Sequence, residues 1–426
     1  MSLRFQRNSK AVGILFALFG GLKIASLGST GKMPVGPTAK MAVLQSDRRE
    51  SAHAVLRNAG VMSRPFVLLA IAGALVVPAV YSVTRPDPEA KAKADGLQTL
   101  VSDPYRLDKI YRSMEGPWSI QSGIHLAAGA KSGVVWVTGL ETEVVDATAQ
   151  KPISQEFFCH SNLTFAEHGR TPSQYNQQLG GKTHLDWRLF TLVPGRSSIE
   201  LPPGFGVPIP SDAALDHVTM SLNLNERDKV VNVRMRTKVH TIAADQPGAP
   251  TKGLFRRALY VLQPHGVSVK MGPACMAKAG MHMGAGCAEL SKVNMSGEVS
   301  AEKPGDGLMN HWIVPPGHHI YTTEITPQLN LPFDTTIHYA TMHVRPFARG
   351  VELRDLTTGT TIFRLNSQDW PDRVGVAYVE EFKSIEGIPI QRDHRYELSA
   401  EYDNPLDVET DAMAILYLYF LEKDLS

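Results

Sequence analysis

Beyond residue 117, hydrophobic and polar residues alternate in short runs that are rich in Val, Ile, Thr and aromatic side chains. Clear examples are GVVWVTGLETEVVDA (133–147), KVVNVRMRTKVHTI (229–242) and AMAILYLYFLE (412–422). Alternation of this kind is typical of strands with one buried face, and Gly, Pro, Asn and Asp separate the runs as turn residues do. No helical pattern alternates with the strands, so the sequence predicts a mainly β, antiparallel fold and disfavours a parallel α/β fold.

The strand-rich part is long enough for two β-sandwich domains, which we place at 117–250 and 251–426. The boundary falls in AADQPGAPTKG (243–253), where Pro and Gly concentrate without an apolar period. Residues 85–116 are predicted to form a polar linker and a short amphipathic helix. The helix is predicted from the helix-like spacing of apolar residues after Asp103-Pro104, which are Leu107, Ile110, Tyr111 and Met114.

A different pattern lies upstream, where Phe66 to Val83 carry no charge and Arg64 and Arg85 flank them. This run predicts a transmembrane helix within 65–84. Residues 1–64 hold ten Lys and Arg against two acidic residues, so the positive-inside rule places this tail in the cytoplasm. The expected protein is a single-pass inner-membrane protein with periplasmic sandwich domains. A cleaved signal peptide starting at Met62 is the alternative, but no A-x-A-like site follows the apolar run.

The composition of the chain excludes several classes of protein. The formal net charge is +1, which argues against a nucleic-acid partner recognised through bulk positive charge. Hydrophobic residues make up 43% of the chain and charged residues 20%, a balance typical of folded domains rather than disorder. Three cysteines exclude a disulfide-dense scaffold and a four-thiolate zinc or iron–sulfur site.

Three pieces of the second half occur in a recognisable order: VPPG (314–317), IHYATMHVRPFARGVELRDLTTG (337–359) and YDNPLDVETDAMAILYLYF (402–420). Together they resemble the C-terminal domain of the copper type II, ascorbate-dependent monooxygenases, the family of peptidylglycine α-hydroxylating monooxygenase. The resemblance extends more weakly back to about residue 117. It implies two jelly-roll β-sandwich domains, each with one copper, facing each other across a solvent-filled cleft.

The resemblance also implies copper ligands, and this sequence departs from them. The second domain of the family supplies a His-x-His pair on one strand, where i and i+2 share a face, and a Met from the last strand. Here the pair is His343 and Arg345, and the methionine is Met413. A guanidinium stays protonated and offers no lone pair, so Arg345 cannot ligate copper. His338 is a candidate replacement, although its odd spacing from His343 places it on the opposite face of a regular strand.

The first domain also lacks copper ligands that the family would supply. The adjacent His-His pair of the family corresponds to Cys159-His160, and its third histidine to Asn223. An amide oxygen is a hard, weak ligand for copper. His343, Met413 and His160 are therefore interpreted as vestigial metal ligands, and no catalytic or cofactor-binding residue is predicted.

A separate cluster follows in KMGPACMAKAGMHMGAGC (270–287), with thioethers, an imidazole, Cys275 and Cys287. These groups suit Cu(I). A Gly-rich loop closed by a Cys275–Cys287 disulfide is the favoured alternative, because the extracytoplasmic side is oxidising.

These observations lead to one favoured hypothesis and two alternatives. The favoured one is a non-catalytic relative of the copper monooxygenases that serves as an accessory or structural subunit of a larger membrane complex, of respiratory or photosynthetic type. Its partners would be the other subunits and the lipid bilayer, with no cofactor. The first alternative is a copper monooxygenase that hydroxylates a C–H bond with altered ligands. The second is an extracytoplasmic copper-binding protein that uses the 275–287 cluster.

Overall fold

The computed structural model describes four stretches of chain, which are residues 96–111, 116–126, 133–263 and 310–425. All of them belong to one compact unit, residues 79–426. The predicted tail (1–64), the predicted membrane span (65–84) and the Cys275–Cys287 pair lie outside the described residues. Within these four stretches no helix has the length and apolar character needed to cross a bilayer.

Strands dominate the first sandwich, which begins at residue 98. Its strands are β1 (Gln98–Val101), β2 (Tyr105–Leu107), β3 (Trp118–Ile124), β4 (Val134–Asp146), β5 (Phe158–Phe165), β6 (Arg188–Leu192), β7 (Ser198–Glu200), β8 (Phe205–Pro210), β9 (Leu215–Ser221) and β10 (Val231–Ala243). One sheet has the order β1-β10-β4-β8, with β2 on β10 and β7 on β4, and the other has the order β3-β9-β5-β6. A 3-10 turn (Gln155–Phe157) and one helix, α1 (Pro172–Gln178), interrupt the strands.

The second sandwich begins at residue 252. Its strands are β11 (Lys252–Tyr260), β12 (Trp312–Val314), β13 (Gly317–Glu324), β14 (Thr335–Val344), β15 (Ala348–Asp355), β16 (Thr360–Asp369), β17 (Val376–Val379), β18 (Glu381–Ile390), β19 (Tyr396–Asn404), β20 (Thr410–Ala412) and β21 (Ala414–Leu421). One sheet has the order β11-β21-β14-β18 and the other β13-β19-β15-β16-β17, with β12 and β20 paired beside them. A one-turn helix, α2 (Thr326–Leu329), and a closing 3-10 turn (Lys423–Leu425) complete it.

The two sandwiches share a sheet. β8 pairs with β11 in parallel, through Phe205 with Lys252 and Gly206 with Gly253, and this short contact joins one sheet of each sandwich into ten strands. The remaining strand pairs of the described chain are antiparallel, as the sequence predicts. The mainly β fold class is thus confirmed, with one parallel junction that was not expected. The proposed boundary at 243–253 covers the connection from the end of β10 to the start of β11.

Alternation along the strands explains why these residues fold this way. In β10, Val233, Met235, Thr237 and Val239 are fully buried, while the residues that alternate with them are partly exposed. Burying an aliphatic side chain of this size contributes about 1.5–3 kcal/mol. One face of β21 packs in the core of the second sandwich and the other packs against Val193 of the first, so both faces are buried.

The helix predicted after Asp103-Pro104 is wrong for the residues that the structure describes. Tyr105–Leu107 form β2, paired with β10, and Tyr111 makes an isolated bridge to Asn223. Tyr105 and Leu107 are buried whereas Arg106 is exposed, which is the period of a strand rather than a helix. The helix-like spacing at 107–111 was therefore coincidental.

Candidate functional site

The end of β14 and the start of β21 place two of the predicted site residues, His343 and Met413, in one row with Arg345. His343 pairs with Ile415 and Val344 with Ala414, so the same register sets Arg345 opposite Met413. His343 and Arg345 share a face, as the i, i+2 spacing predicts. That face points toward the first sandwich, since Met413 packs in one cluster with Val193.

A tyrosine hydroxyl fixes this row. Tyr402 Oη accepts hydrogen bonds from the backbone N–H of Arg345 and of Met413, each at 3.3 Å, and donates to the Met413 carbonyl at 2.7 Å. Tyr402 lies on β19 in the opposite sheet and is fully buried. Because one hydroxyl holds both backbone segments, the positions of Arg345 and Met413 are coupled.

His160 approaches this row from the other sandwich. It lies on β5, is 3% exposed, and its ring centroid is 6.3 Å from that of His343 in an edge-on arrangement. Its Nδ1 is 3.4 Å from the Cys159 sulfur. The two candidates that the resemblance assigns to different coppers are therefore neighbours at a closed interface in this chain.

His311 joins the cluster, although the sequence analysis did not single it out. β12 pairs with β20 through Trp312 and Ala412, so the register places His311 opposite Met413. His311 is 1% exposed. Only the pairing of β12 with β20, about a hundred residues apart in sequence, reveals this position.

Burial and nearby guanidinium groups keep these imidazoles neutral. Burial first, and then the charges of Arg188 and Arg345, lower the pKa of His160 to about 3. Burial and Arg345 lower the pKa of His311 to about 3 as well. For His343, burial, then Arg345, His160, His311 and Arg188, hold the pKa well below its ordinary value. Positive charge thus dominates the surroundings of His343.

Several polar atoms of this cluster are buried without a hydrogen-bond partner. They are Nε2 of His160, both ring nitrogens of His311 and His343, and Nε and Nη2 of Arg345. A buried polar group left unsatisfied costs about 1–3 kcal/mol, and more when it is charged. Clusters of this kind in folded proteins call for an explanation in terms of function or of a bound partner.

The copper ligand sets that the resemblance implies do not come together. His338 is held by Thr336 at Nε2 (2.7 Å) and by the Ser384 carbonyl at Nδ1 (3.0 Å), so it does not complete a set with His343. In the described part of the chain, no three His, Cys, Asp or Glu side chains are placed to hold a metal ion. With Arg345 beside His343, the residues present do not fit the redox copper of that family.

Asn223, at the position of the third histidine of the first domain, has a structural role. Its amide donates to the carbonyls of Lys109 (2.9 Å) and Glu226 (2.6 Å), and its Oδ1 accepts from the backbone N–H of Asn225 and of Glu226. These bonds close the turn after β9. The side chain is therefore not available as a ligand.

A cavity of about 300 Å³ lies between the sandwiches next to Arg345. Phe158 and Leu222 line it from the first sandwich, and Arg345, Phe347 and Trp370 from the second.

Phe347, in the wall of this cavity, has a positive φ of 72°, which is uncommon for a bulky residue. Its N–H donates to Asp369 at 2.8 Å and its carbonyl accepts from Asp403 N–H at 2.9 Å, so neighbouring elements hold this conformation. Strained residues concentrate at binding sites.

Comparisons with known proteins do not assign the chain to a family. No family model and no curated protein matches it. Among solved structures, the major capsid protein P2 from bacteriophage PM2 is 9% identical over 75% of this chain and 97% of that chain, with a TM-score of 0.26. Infectious bursal disease virus, Gx strain, is 7% identical over 77% of this chain and 76% of that chain, with a TM-score of 0.16. At such TM-scores neither likeness carries an argument about fold or function.

Proposed function

We propose that this protein is a membrane-anchored, non-catalytic relative of the copper type II monooxygenases, with jelly-roll sandwich domains, that acts as an accessory or structural subunit of a larger membrane complex. A respiratory or photosynthetic assembly is the type of partner we expect. The sandwiches would lie on the extracytoplasmic side, and the basic tail on the cytoplasmic side.

The observation that carries the proposal is the burial of Arg345 beside His343. Arg345 is 5% exposed, and its charge lowers the pKa of His160, His311 and His343. A copper ion bound to His343 would meet the same repulsion, in an interior where charges are poorly screened. A guanidinium at this position opposes copper binding, so its presence favours a role that does not require redox copper.

Contacts between the sandwiches further support a scaffold role. His184 in the first sandwich donates to Glu422 in the second, and Tyr419 donates to the Leu189 carbonyl at 2.9 Å. Arg196 forms an ion pair with Glu381 at 3.4 Å. Polar contacts spread along this junction favour a rigid two-sandwich body whose outer surfaces are the functional part.

The test is extraction of the tagged full chain from its native membranes with a mild detergent, followed by mass spectrometry and metal analysis of the same preparation. The expected result is stable co-purifying membrane subunits and well under one copper per chain. A solitary monomer would count against the subunit role.

The metal analysis also separates the alternatives. Stoichiometric copper with a type II paramagnetic signal, lost in His343→Ala, would establish the copper monooxygenase alternative. Copper that survives His343→Ala but disappears in Cys275→Ser would instead establish a copper-binding protein.

A further inference from the structure

The strand β13 (Gly317–Glu324) forms an open edge of the second sandwich. It stands at the end of the sheet β13-β19-β15-β16-β17, so in the described part of the chain β19 is its only hydrogen-bonded neighbour. The N–H of Ile325, directly after β13, donates to the Tyr396 carbonyl on β19 at 2.8 Å. Because antiparallel bonds alternate along a strand, every second residue of β13 points its backbone N–H and C=O groups away from β19. These residues are His318, Ile320, Thr322 and Glu324.

Another long edge of this sandwich carries features that block the addition of a strand, and β13 lacks them. β18 also stands at the end of a sheet, but it contains Lys383 and Pro389, and its pairing with β14 is interrupted between Lys383 and Ile388. Lysine, proline and irregular pairing are the means by which natural proteins protect sheet edges. β13 pairs with β19 without a register shift over its whole length and contains neither lysine nor proline. Its edge is therefore a template for a further strand.

The solvent face of β13 adds an apolar contact to this edge. Ile320 is 60% exposed, more than any other large hydrophobic side chain among the described residues. His318 and Thr322 flank it on the same face and are also exposed. An exposed apolar side chain on an open, regular edge strand favours pairing with another chain.

The sequence of β13 is complementary to itself. When two copies lie antiparallel with Tyr321 opposite Tyr321 of the second copy, all four outward-pointing residues of each strand acquire a counterpart. His318 then lies opposite Glu324, and Ile320 lies opposite Thr322. An imidazole opposite a carboxylate and two β-branched side chains opposite each other are favourable cross-strand pairs. A shift by two residues in either direction leaves His318 or Glu324 without a counterpart in β13.

We propose that two copies of this chain form a dimer in which β13 pairs with β13 of the second copy in this register, about a two-fold axis. The five-stranded sheets of the two copies continue into each other, and the same surface serves both copies, as in other two-fold dimers. Backbone hydrogen bonds hold the strands together, and the side-chain pairs fix the register. The interface uses none of the residues of the candidate site, and the proposal does not depend on the subunit role.

The test is sedimentation equilibrium of the full chain in a mild detergent, with two matched variants. Wild type should show a concentration-dependent equilibrium between monomer and dimer. Ile320→Lys places two ammonium groups on the same face of the joined sheet, next to the two-fold axis, and should raise the dissociation constant of the dimer by about 10-fold or more. Ile385→Lys makes the same change on β18, at a side chain that is 51% exposed, and should leave that constant within about twofold.

Amide hydrogen exchange at single-residue resolution shows what covers the edge. In the dimer the amides of the four outward-pointing residues should be protected, and their protection should fade on dilution and be weakened in Ile320→Lys. The N–H of Thr323 faces β19 and is the internal reference, because its protection should not depend on concentration.

A wild-type chain that stays monomeric would overturn the proposal. Protection of the outward-pointing amides that does not change on dilution would also overturn it, because a segment of the same chain would then cover the edge. A dimer that is equally stable in Ile320→Lys would place the interface elsewhere and would contradict the proposal as well. Recovery of membrane subunits has no bearing on these outcomes, so this proposal and the proposed function fail separately.

Discussion

At the scale of single residues, the buried histidines make stability depend on pH. The pKa is lowered to about 3 in His160, to about 4 in His217 and to about 3 in His311, in each case mainly by burial. In the unfolded chain these imidazoles bind a proton below about pH 6.5. The stability they contribute is therefore fully present at neutral pH and is lost as the pH falls from about 6.5 toward the folded-state pKa, by up to about 1.4 kcal/mol per pH unit and per histidine.

His311→Leu should remove the contribution of one histidine to the pH dependence of the unfolding free energy. Because both ring nitrogens of His311 lack a partner, little stability is lost at pH 7, within about 1 kcal/mol. Between pH 6.5 and 4.5 the unfolding free energy of the variant should fall less steeply, by about one proton per molecule, as measured by urea denaturation. Met342→Leu, a buried substitution that removes no titratable group, is the control and should keep the wild-type slope. An unchanged slope in His311→Leu would contradict the burial argument.

Sequence alone anticipated part of this cluster. The strand period correctly put Arg345 on the face of His343, because that relation is local. It could not find His311, whose neighbours come from the pairing of β12 with β20. It also could not show that His160 approaches His343, since that contact depends on how the two sandwiches pack.

At the scale of elements, one hydroxyl holds the end of β14 against the turn before β21. Tyr402→Phe leaves three backbone groups of Arg345 and Met413 without this partner in a fully buried position. We expect a loss of about 2–3 kcal/mol in the unfolding free energy. Tyr378→Phe, at a position 42% exposed, should stay within about 0.5 kcal/mol. Equal effects in denaturant titrations would mean that Tyr402 Oη does not fix the row.

Long alternating strands were predictable, and short ones were not. β10 and β4 each run for 13 residues, enough for a clear period of two. β2 has three residues, and Leu107 and Tyr111 imitated a helical pattern because they are four positions apart. Its strand geometry comes from pairing with β10, which is a tertiary contact. Tertiary pairing overrides weak local patterns in such segments.

At the scale of the whole molecule, the sandwiches are more closely joined than two predicted domains suggest. The turn-rich segment 243–253 connects β10 to β11, yet the two sandwiches share a continuous sheet through the pairing of β8 with β11. Parallel pairing of two short segments leaves no periodic mark in the sequence. We therefore expect the two sandwiches to unfold in one cooperative transition.

The buried hydrogen bond between His184 and Glu422 tests how strongly the sandwiches are joined. His184 Nδ1 is 2.7 Å from Glu422 Oε2, and the Glu422 side chain is completely buried. In His184→Ala the Glu422 side chain keeps the hydrogen bond from the backbone N–H of residue 184 and loses the one to the imidazole. A buried carboxylate that loses a hydrogen-bond partner is costly, so we expect a loss of about 2–3 kcal/mol.

His318 and Glu401 provide the matched control, because they form a similar pair at 2.9 Å within one sheet. The His318 side chain is 54% exposed, and Glu401 also pairs with Arg364, so water and the Arg364 guanidinium compensate for the contact that His318→Ala removes. That variant should lose less than about 1 kcal/mol. Thermal and urea unfolding of both variants give the comparison. If His184→Ala were as mild as the control, burial of Glu422 would not be important to the junction, and the sandwiches would be held together by the shared sheet and apolar contacts alone.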